Sequence, residues 1–307
     1  MRISSRIGIV PLACAFMGML LILGCGSSIP LFQSMVQEME EFTSAEVPLR
    51  FDHGYPYLAS HSGKDSVELF LDTGAGQVGL GLLPETVRSL GLLGFGRTRT
   101  LKTNSGRIKY RRIILPEARF GGITFRNFAC DQVSADAHPL FARRGIMGLA
   151  LLRRFNVLID YRGFRLVLFR QGTFPADFDS SSWKRIPFTD HPDGMLVDGT
   201  PEGISKNLRW CLDTGAVAWD PERTEYYNLL KSKYFRGMAG AKERDGRAFA
   251  KRRDFRSGEV TLDSLNFLAH DFAEPGGVDG FLGADFFMKN RVLVDFTDDV
   301  LWIQSNI

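Results

Sequence analysis

Leu71-Asp72-Thr73-Gly74-Ala75 returns, residue for residue, as Leu212-Asp213-Thr214-Gly215-Ala216. One carboxylate in a tight turn is ordinary. Two copies, each closing an apolar run and each followed by a similar downstream pattern, indicate a pair of half-sites made by internal duplication. Before the first copy, Val67, Leu69 and Leu71 alternate with Glu68 and Phe70, a period of two that delivers Asp72 to the end of a strand. Leu208, Trp210 and Leu212 do the same for Asp213. Gly74 permits a turn that a residue with a side chain would resist, and lets backbone N–H groups approach the carboxylate. The expectation is that Asp72 and Asp213 meet in space.

The surroundings repeat in register. Asn104-Ser105-Gly106, inside the strand-like stretch Leu101 to Ile114, is a hairpin signal, and Arg244-Asp245-Gly246 is its counterpart. Asp72 precedes Gly106 by 34 positions and Asp213 precedes Gly246 by 33. Gly145-Ile146-Met147-Gly148 matches Gly280-Phe281-Leu282-Gly283, and Val157-Leu158-Ile159-Asp160 matches Val292-Leu293-Val294-Asp295; from Gly148 to Asp160 and from Gly283 to Asp295 is 12 positions each. Phe120 to Val133 supplies further strand sequence, and Leu149 to Phe155 reads as a short helix. The halves are placed at 47–170 and 186–307, with Gly172, Pro175 and Ser180-Ser181-Ser182 marking a linker at 171–185.

Composition sets outer limits. The chain has 307 residues, 44% hydrophobic and 24% charged, enough apolar material for two modest cores. A net charge of +3 is small for this length, and no nucleic-acid recognition motif is present, so no nucleic-acid partner is expected. Frequent Phe and Gly favour short strands and tight turns.

The N-terminus reads as a targeting segment at 1–24: Arg2 and Arg6, then the apolar run Ile7 to Leu23. Leu21-Ile22-Leu23-Gly24-Cys25 resembles a bacterial lipobox, with Ile22 where Leu is usual. The resemblance implies lipidation at Cys25. With Gly26 rather than aspartate next, it also implies an outer-membrane anchor facing the periplasm. Residues 25–46 read as a lipidated tether, with Met35 to Phe42 a short amphipathic helix. The alternative is an uncleaved membrane anchor, since the run is near the lower length limit for a span.

Cys130 and Cys211 sit in apolar runs of different halves and read as buried free thiols, with a disulfide between them the alternative. His53, His61, His138, His191 and His270 are scattered without ligand spacing, so neither metal nor cofactor is implied. Asp160 and Asp295 also recur. Their strand-to-turn position reads as structural, with the carboxylate satisfying local amides.

Taken together, the apolar residue before Asp-Thr-Gly-Ala, the hairpin and the two apolar residues before Gly resemble the aspartic proteases. The Ala after Gly is similar to the retropepsin branch and its bacterial relatives. The resemblance covers about residues 47 to 307. It implies a mostly all-β chain of two retropepsin-like barrel lobes about a pseudo-two-fold axis, both in one chain in a pepsin-like bilobal arrangement. It further implies a catalytic pair Asp72 and Asp213 that activates a water, and support from Thr73, Gly74, Thr214 and Gly215. Flap hairpins around Gly106, Tyr110 and Gly246 would close over a protein or peptide substrate. Ala75 and Ala216 stand where pepsins carry a hydroxyl, which implies raised dyad pKa values and an optimum at mildly acid to near-neutral pH. A monomer is expected.

Both hairpins are basic: Arg97, Arg99, Lys102, Arg107, Lys109, Arg111 and Arg112 in the first, Lys242, Arg244, Arg247, Lys251, Arg252 and Arg253 in the second. A solvated face explains them by default, and a rim that attracts acidic peptides or anionic lipid head groups is the sharper reading. Beside the endopeptidase stand two other readings: a non-catalytic peptide-binding or envelope-assembly protein on the same scaffold, and a half-site protein that works as a dimer.

Overall fold

The computed structural model describes residues 38–39, 41–103, 106–134, 145–220, 224–236, 238, 240–244, 246–272 and 277–306. The leader, the lipobox with Cys25, His138, Asn104 and Ser105 lie outside them, as does the tether up to residue 37.

The duplication is visible in how the two halves join. The Phe155–Asp160 strand pairs antiparallel with Asn290–Asp295, in the register Val157 to Val294, Leu158 to Leu293 and Ile159 to Val292. Leu158 and Leu293 are equivalent positions of the two repeats and face each other, so the pseudo-two-fold axis passes between them. Each side of this pair is extended by two more strands of its own half: Arg165–Arg170 and Ser44–Asp52 in the first, Val300–Ser305 and Lys184–Pro187 in the second. The central strands are buried on both faces, and the apolar Val-Leu-Ile and Val-Leu-Val runs follow from that.

Above this shared sheet each half closes into a β-barrel. In the first, the order is Tyr55–Ser62, Asp65–Asp72, Gly145–Gly148, Leu80–Leu82, Ile123–Val133, Gly106–Phe120 and Phe95–Thr103, closed by a pairing of Tyr55–Ser62 with Gly106–Phe120. The second runs Gly194–Pro201, Leu208–Leu212, Gly280–Leu282, Glu225–Leu230, Val260–Ala269 and Arg247–Ser257, closed by Gly194–Pro201 on Arg247–Ser257. Closure leaves few free strand edges. Phe120, Phe125, Phe128 and Phe155 fill the first core; Trp210, Phe255 and Phe267 fill the second, where the indole Nε1–H of Trp210 donates to Gly199 O at 3.0 Å. Cys130 and Cys211 are buried free thiols, one in each half.

Three boundaries differ from the sequence reading. Glu38–Met39 is a strand paired with Ile123–Val133, not part of a helix over 35–42, and Phe42 packs edge-on against Phe155. The Ser44–Asp52 strand begins inside the stretch read as tether, because alternate residues Ala45, Val47 and Leu49 are buried. Likewise Lys184 and Arg185, read as the end of the linker, already pair with Ile303 and Trp302. In each case strand pairing, which local composition does not reveal, extends the ordered body.

Candidate active site

Two parallel pairings set the positions of the paired carboxylates. Asp65–Asp72 runs beside Gly145–Gly148, with Asp72 opposite Gly148, and Leu208–Leu212 runs beside Gly280–Leu282. Each Asp-Thr-Gly-Ala turn leaves the end of its strand and is held from beneath by the following short helix: Leu149 N donates to Ala75 O at 3.1 Å and Ala284 N to Ala216 O at 3.1 Å.

The two turns interlock. Thr214 Oγ1 donates to Leu71 O at 2.8 Å and accepts from Thr73 N at 3.0 Å; Thr73 Oγ1 donates to Leu212 O at 2.9 Å and accepts from Thr214 N at 2.9 Å. Both threonines are fully buried. Every hydroxyl therefore reaches across the axis to the opposite backbone.

This grip brings Asp72 and Asp213 together. A Cβ on Gly74 would lie 2.5 Å from Asp213 Oδ2, and one on Gly215 would lie 2.9 Å from Asp72 Oδ1. Glycine is required here because each turn's backbone abuts the other turn's carboxylate. Ala75 N donates to Asp72 Oδ1 at 3.1 Å and Gly215 N to Asp213 Oδ1 at 2.7 Å. Each carboxylate keeps a part-exposed face. Burial pushes Asp72 well above the usual carboxylate range, with the Asp213 charge and the hydrogen bond between the two side chains adding to it. Burial also raises Asp213, though the Gly215 amide, the Asp72 hydrogen bond and further amides pull it back. Two half-buried carboxyls in contact hold one proton between them more firmly than either would alone, and the proton belongs to the pair.

In the antiparallel pair Phe95–Thr103 and Gly106–Phe120, Thr103 lies opposite Gly106. Tyr110 is half-buried against a cluster that includes Tyr57, Phe70 and Ile108, beside Tyr55 and Ala75. In the second half Gly246, at φ +72°, forms the tip between Lys242–Arg244 and Arg247–Ser257. Asp160 and Asp295 lie apart from the pair: Asp160 accepts from Gly163 N at 2.8 Å and from Arg165 Nε at 3.2 Å, and Asp295 accepts from Thr297 N at 3.0 Å.

Several residues around the site carried no sequence signal that the repeat could supply. Tyr55 is half-buried close enough to Asp213 that its phenol is raised, first by burial and then by that charge. Tyr161, fully buried, is raised well above its ordinary value by burial, then by Asp213 and Asp72. The second half also holds an extra hairpin. Gly81 and Leu229 are equivalent, each opposite the second residue of its Gly-apolar-apolar strand, yet they lie 9 and 16 positions after their aspartates. The longer spacing accommodates Ala218–Asp220, which pairs with Glu225, Tyr226 and Tyr227, with Trp219 packed on Tyr226 at 4.5 Å between ring centroids.

Two turns cross between the halves beside the site. The Asp52-His53-Gly54-Tyr55 turn packs Gly54 against the Tyr226 ring, and the His191-Pro192-Asp193 turn lies against Gly76. Arg153 ties the latter down, bonding Asp190 Oδ1 at 2.8 Å, His191 O at 2.6 Å and Gly76 O at 2.6 Å. The His-Gly and Pro-Asp-Gly steps are turn signals in the sequence, but their destinations are not.

A family model described as aspartyl protease matches residues 59–150, which contain the first Asp-Thr-Gly-Ala. Among solved structures, the aspartic proteinase from Irpex lacteus aligns with a TM-score of 0.58 over 85% of this chain and 97% of that one, at 12% identity. No curated protein sequence matches the chain. At that identity the likeness is one of fold. The chain has the bilobal aspartic protease fold, mostly β, with an Asp-Thr-Gly-Ala turn from each barrel meeting at the junction of the two.

Proposed function

We propose that the protein is an aspartic endopeptidase that hydrolyses peptide bonds with a water activated by Asp72 and Asp213. The observation that carries this reading is the interlocked pair of turns, which holds two part-exposed carboxyls in contact across the axis. In the singly protonated pair, the ionised carboxyl draws a proton from a water between them while the protonated one donates to the scissile carbonyl oxygen. Water attacks the carbonyl carbon, and the tetrahedral intermediate collapses as a proton passes to the leaving amine. No covalent enzyme intermediate, metal or cofactor takes part in this scheme. Gly74, Gly215, Thr73 and Thr214 position the pair, and the hairpin bearing Gly106 and Tyr110 closes over the peptide and excludes water.

The lipobox-like stretch ending at Cys25 supports a lipid-anchored protein of the cell envelope, on the outer membrane facing the periplasm. With both halves in one chain, the enzyme works as a monomer on protein or peptide substrates. Digestion of casein and of a peptide library, with the products mapped by mass spectrometry, tests the activity. Asp72→Asn and Asp213→Asn should each abolish cleavage. Equal activity in both variants and the parent would rule the assignment out, and absence of cleavage with retained peptide binding would leave a binding scaffold instead.

A further inference from the structure

The second half holds a polar knot where the first half is apolar. Asn228, Asn266 and Asp285 are all buried. Gly283 corresponds to Gly148 and Leu229 to Gly81, so Asp285 stands at the position of Ala150 and Asn228 at that of Leu80. The parallel pairings of Gly81 with Asp131 and of Leu229 with Leu268 put Asn266 at the position of Ala129. Three apolar side chains of one repeat are thus amide or carboxyl side chains in the other. Such groups persist in a core only where each polar atom has a partner.

Asn228 is at the centre of the knot. Its Nδ2 donates to Asn266 O at 3.0 Å and to Asp285 Oδ2 at 3.1 Å, and its Oδ1 accepts from Gly283 N at 2.9 Å. With both amide hydrogens taken, one orientation is available: turned over, the NH2 group would face the Gly283 N–H, donor against donor. Asp285 is fixed in turn by Asn266 N at 2.8 Å, Asn266 Nδ2 at 3.0 Å and Lys289 Nζ at 2.8 Å. Gly283 N is one end of the Leu282–Gly283 peptide unit, and the other end, Leu282 O, accepts from Asp213 N at 3.0 Å. One peptide plane separates the Asn228 amide from the backbone of Asp213.

The first half meets the same need without a side chain: Gly148 N donates to Gly79 O at 2.8 Å. That carbonyl lies in the short connection after the first turn, where Gly81 follows Asp72 by 9 positions. Leu229 follows Asp213 by 16, and the longer connection is diverted into the pairing of Ala218–Asp220. Asn266 Nδ2 also donates to Tyr226 O at 3.2 Å, at the base of that hairpin. A side chain therefore does in the second half what backbone does in the first.

We propose that Asn228 is a positioning residue for Asp213. It orients the Leu282–Gly283 peptide that holds the Asp213 amide, and Asp285 keeps the Asn228 side chain turned that way; the Asp72 turn relies on Gly79 O instead. The effect on rate rests on the endopeptidase reading, and the effect on the Asp213 backbone does not.

Amide hydrogen exchange of the full-length protein, read residue by residue by NMR, tests the geometry. In Asn228→Leu, which installs the residue of the first half, the Gly283 and Asp213 amides should exchange faster by on the order of tenfold, while those of Gly148 and Asp72 keep the parent rates. A side chain that served stability alone would quicken both pairs alike. In peptide hydrolysis, kcat should fall by on the order of tenfold with KM within about twofold of the parent, because a displaced carboxyl is felt in the transition state more than in binding. Asn228→Asp keeps an acceptor for Gly283 N and, protonated against Asp285, a donor as well, so near about pH 5 it should recover most of the lost kcat. Where Asn228→Leu does not fold, Asn228→Ser, too short to reach Gly283, should show the same selective exchange at smaller amplitude. Equal acceleration in both halves, unchanged exchange at Gly283 and Asp213, or a parental kcat in Asn228→Leu would each overturn the inference. A parent that cleaves no peptide would instead remove the endopeptidase reading, and the selective exchange would still decide whether Asn228 holds Asp213.

Discussion

Replacing Thr214 by Val tests whether the interlocked turns, rather than the aspartates alone, define the site. The Oγ1 of Thr214 makes two buried hydrogen bonds, donating to Leu71 O at 2.8 Å and accepting from Thr73 N at 3.0 Å. Valine keeps the branched shape but leaves both backbone groups without partners at a position with no solvent exposure. An orphaned buried polar group costs about 1–3 kcal/mol, so the pair should cost about 2–6 kcal/mol. Against a typical total of about 5–15 kcal/mol, that is a large fraction. Thr214→Ser keeps the hydroxyl and loses one methyl, a cost of about 1 kcal/mol. Urea titration of the three proteins should show the midpoint falling steeply for Val and slightly for Ser, with the slope unchanged. Thr73→Val should behave like Thr214→Val, because Thr73 Oγ1 makes the mirror-image bonds to Leu212 O and Thr214 N. The double variant should lose less than the sum, since once one turn is loose the other has less to hold. A Thr214→Val protein within about 1 kcal/mol of the parent, or indistinguishable from Thr214→Ser, would refute the reasoning.

Other expectations follow from the same geometry. Gly74→Ala should lower kcat by on the order of a hundredfold, because its Cβ would displace the Asp213 carboxylate, and Gly215→Ala should be milder because its closest carboxylate atom is farther away; equal effects would contradict the crowding argument. Hydrolysis should peak at mildly acid to near-neutral pH, since burial raises both aspartates and Ala75 and Ala216 offer no hydroxyl. Ala75→Ser should shift the profile toward lower pH by giving Asp72 a donor, and an unmoved or upward-shifted profile would count against this cause.

Asp285 supplies a stability prediction. It is almost fully buried, accepts from Asn266 N at 2.8 Å and Asn228 Nδ2 at 3.1 Å, pairs with Lys289 Nζ at 2.8 Å, and is nonetheless pushed up to about 6 by burial from 3.8. A raised folded value means the protonated form suits the fold. Its stabilising contribution is full below the unfolded value and is lost as pH rises through about 6. That difference is on the order of 3 kcal/mol. Because the unfolded carboxyl is already more than half ionised at pH 4, the fall in unfolding free energy from pH 4 to pH 7.5 should be about 2 kcal/mol larger for the parent than for Asp285→Asn, and identical pH slopes would exclude the effect.

The legible parts of this fold are those decided within a few residues. Val67 to Leu71 and Leu208 to Leu212 announce strands by alternation, because a pleated strand with one face in a core must alternate. The burial of Ala45, Val47 and Leu49 is an equally regular pattern, but Glu46 and Pro48 between them and the acidic run before them read as tether. What makes that segment a strand is its partner, Arg165–Arg170, far along the chain. The helix expected around Met35 to Phe42 fails at Glu38–Met39 for the same reason: the strand Ile123–Val133 offers a free edge, and pairing with it prevails over a weak local preference.

By itself the sequence determined the doubling, the residues at each turn and the order of parts around them, because repeats and turn chemistry are properties of neighbours along the chain. Only the tertiary structure decided which surfaces those parts would share. Leu158 meets Leu293 on the axis, Gly54 meets Tyr226, Arg153 fastens the Pro192-Asp193 turn beside Gly76, and Asp285 loses its solvent within a knot of Asn228, Asn266 and Lys289. For the contacts between the halves the physical reason is the pseudo-two-fold axis. It places each half's backbone against the other's side chains, so the environment of every group at the junction is set by residues more than a hundred positions away or by a fold in the chain that local periodicity does not encode.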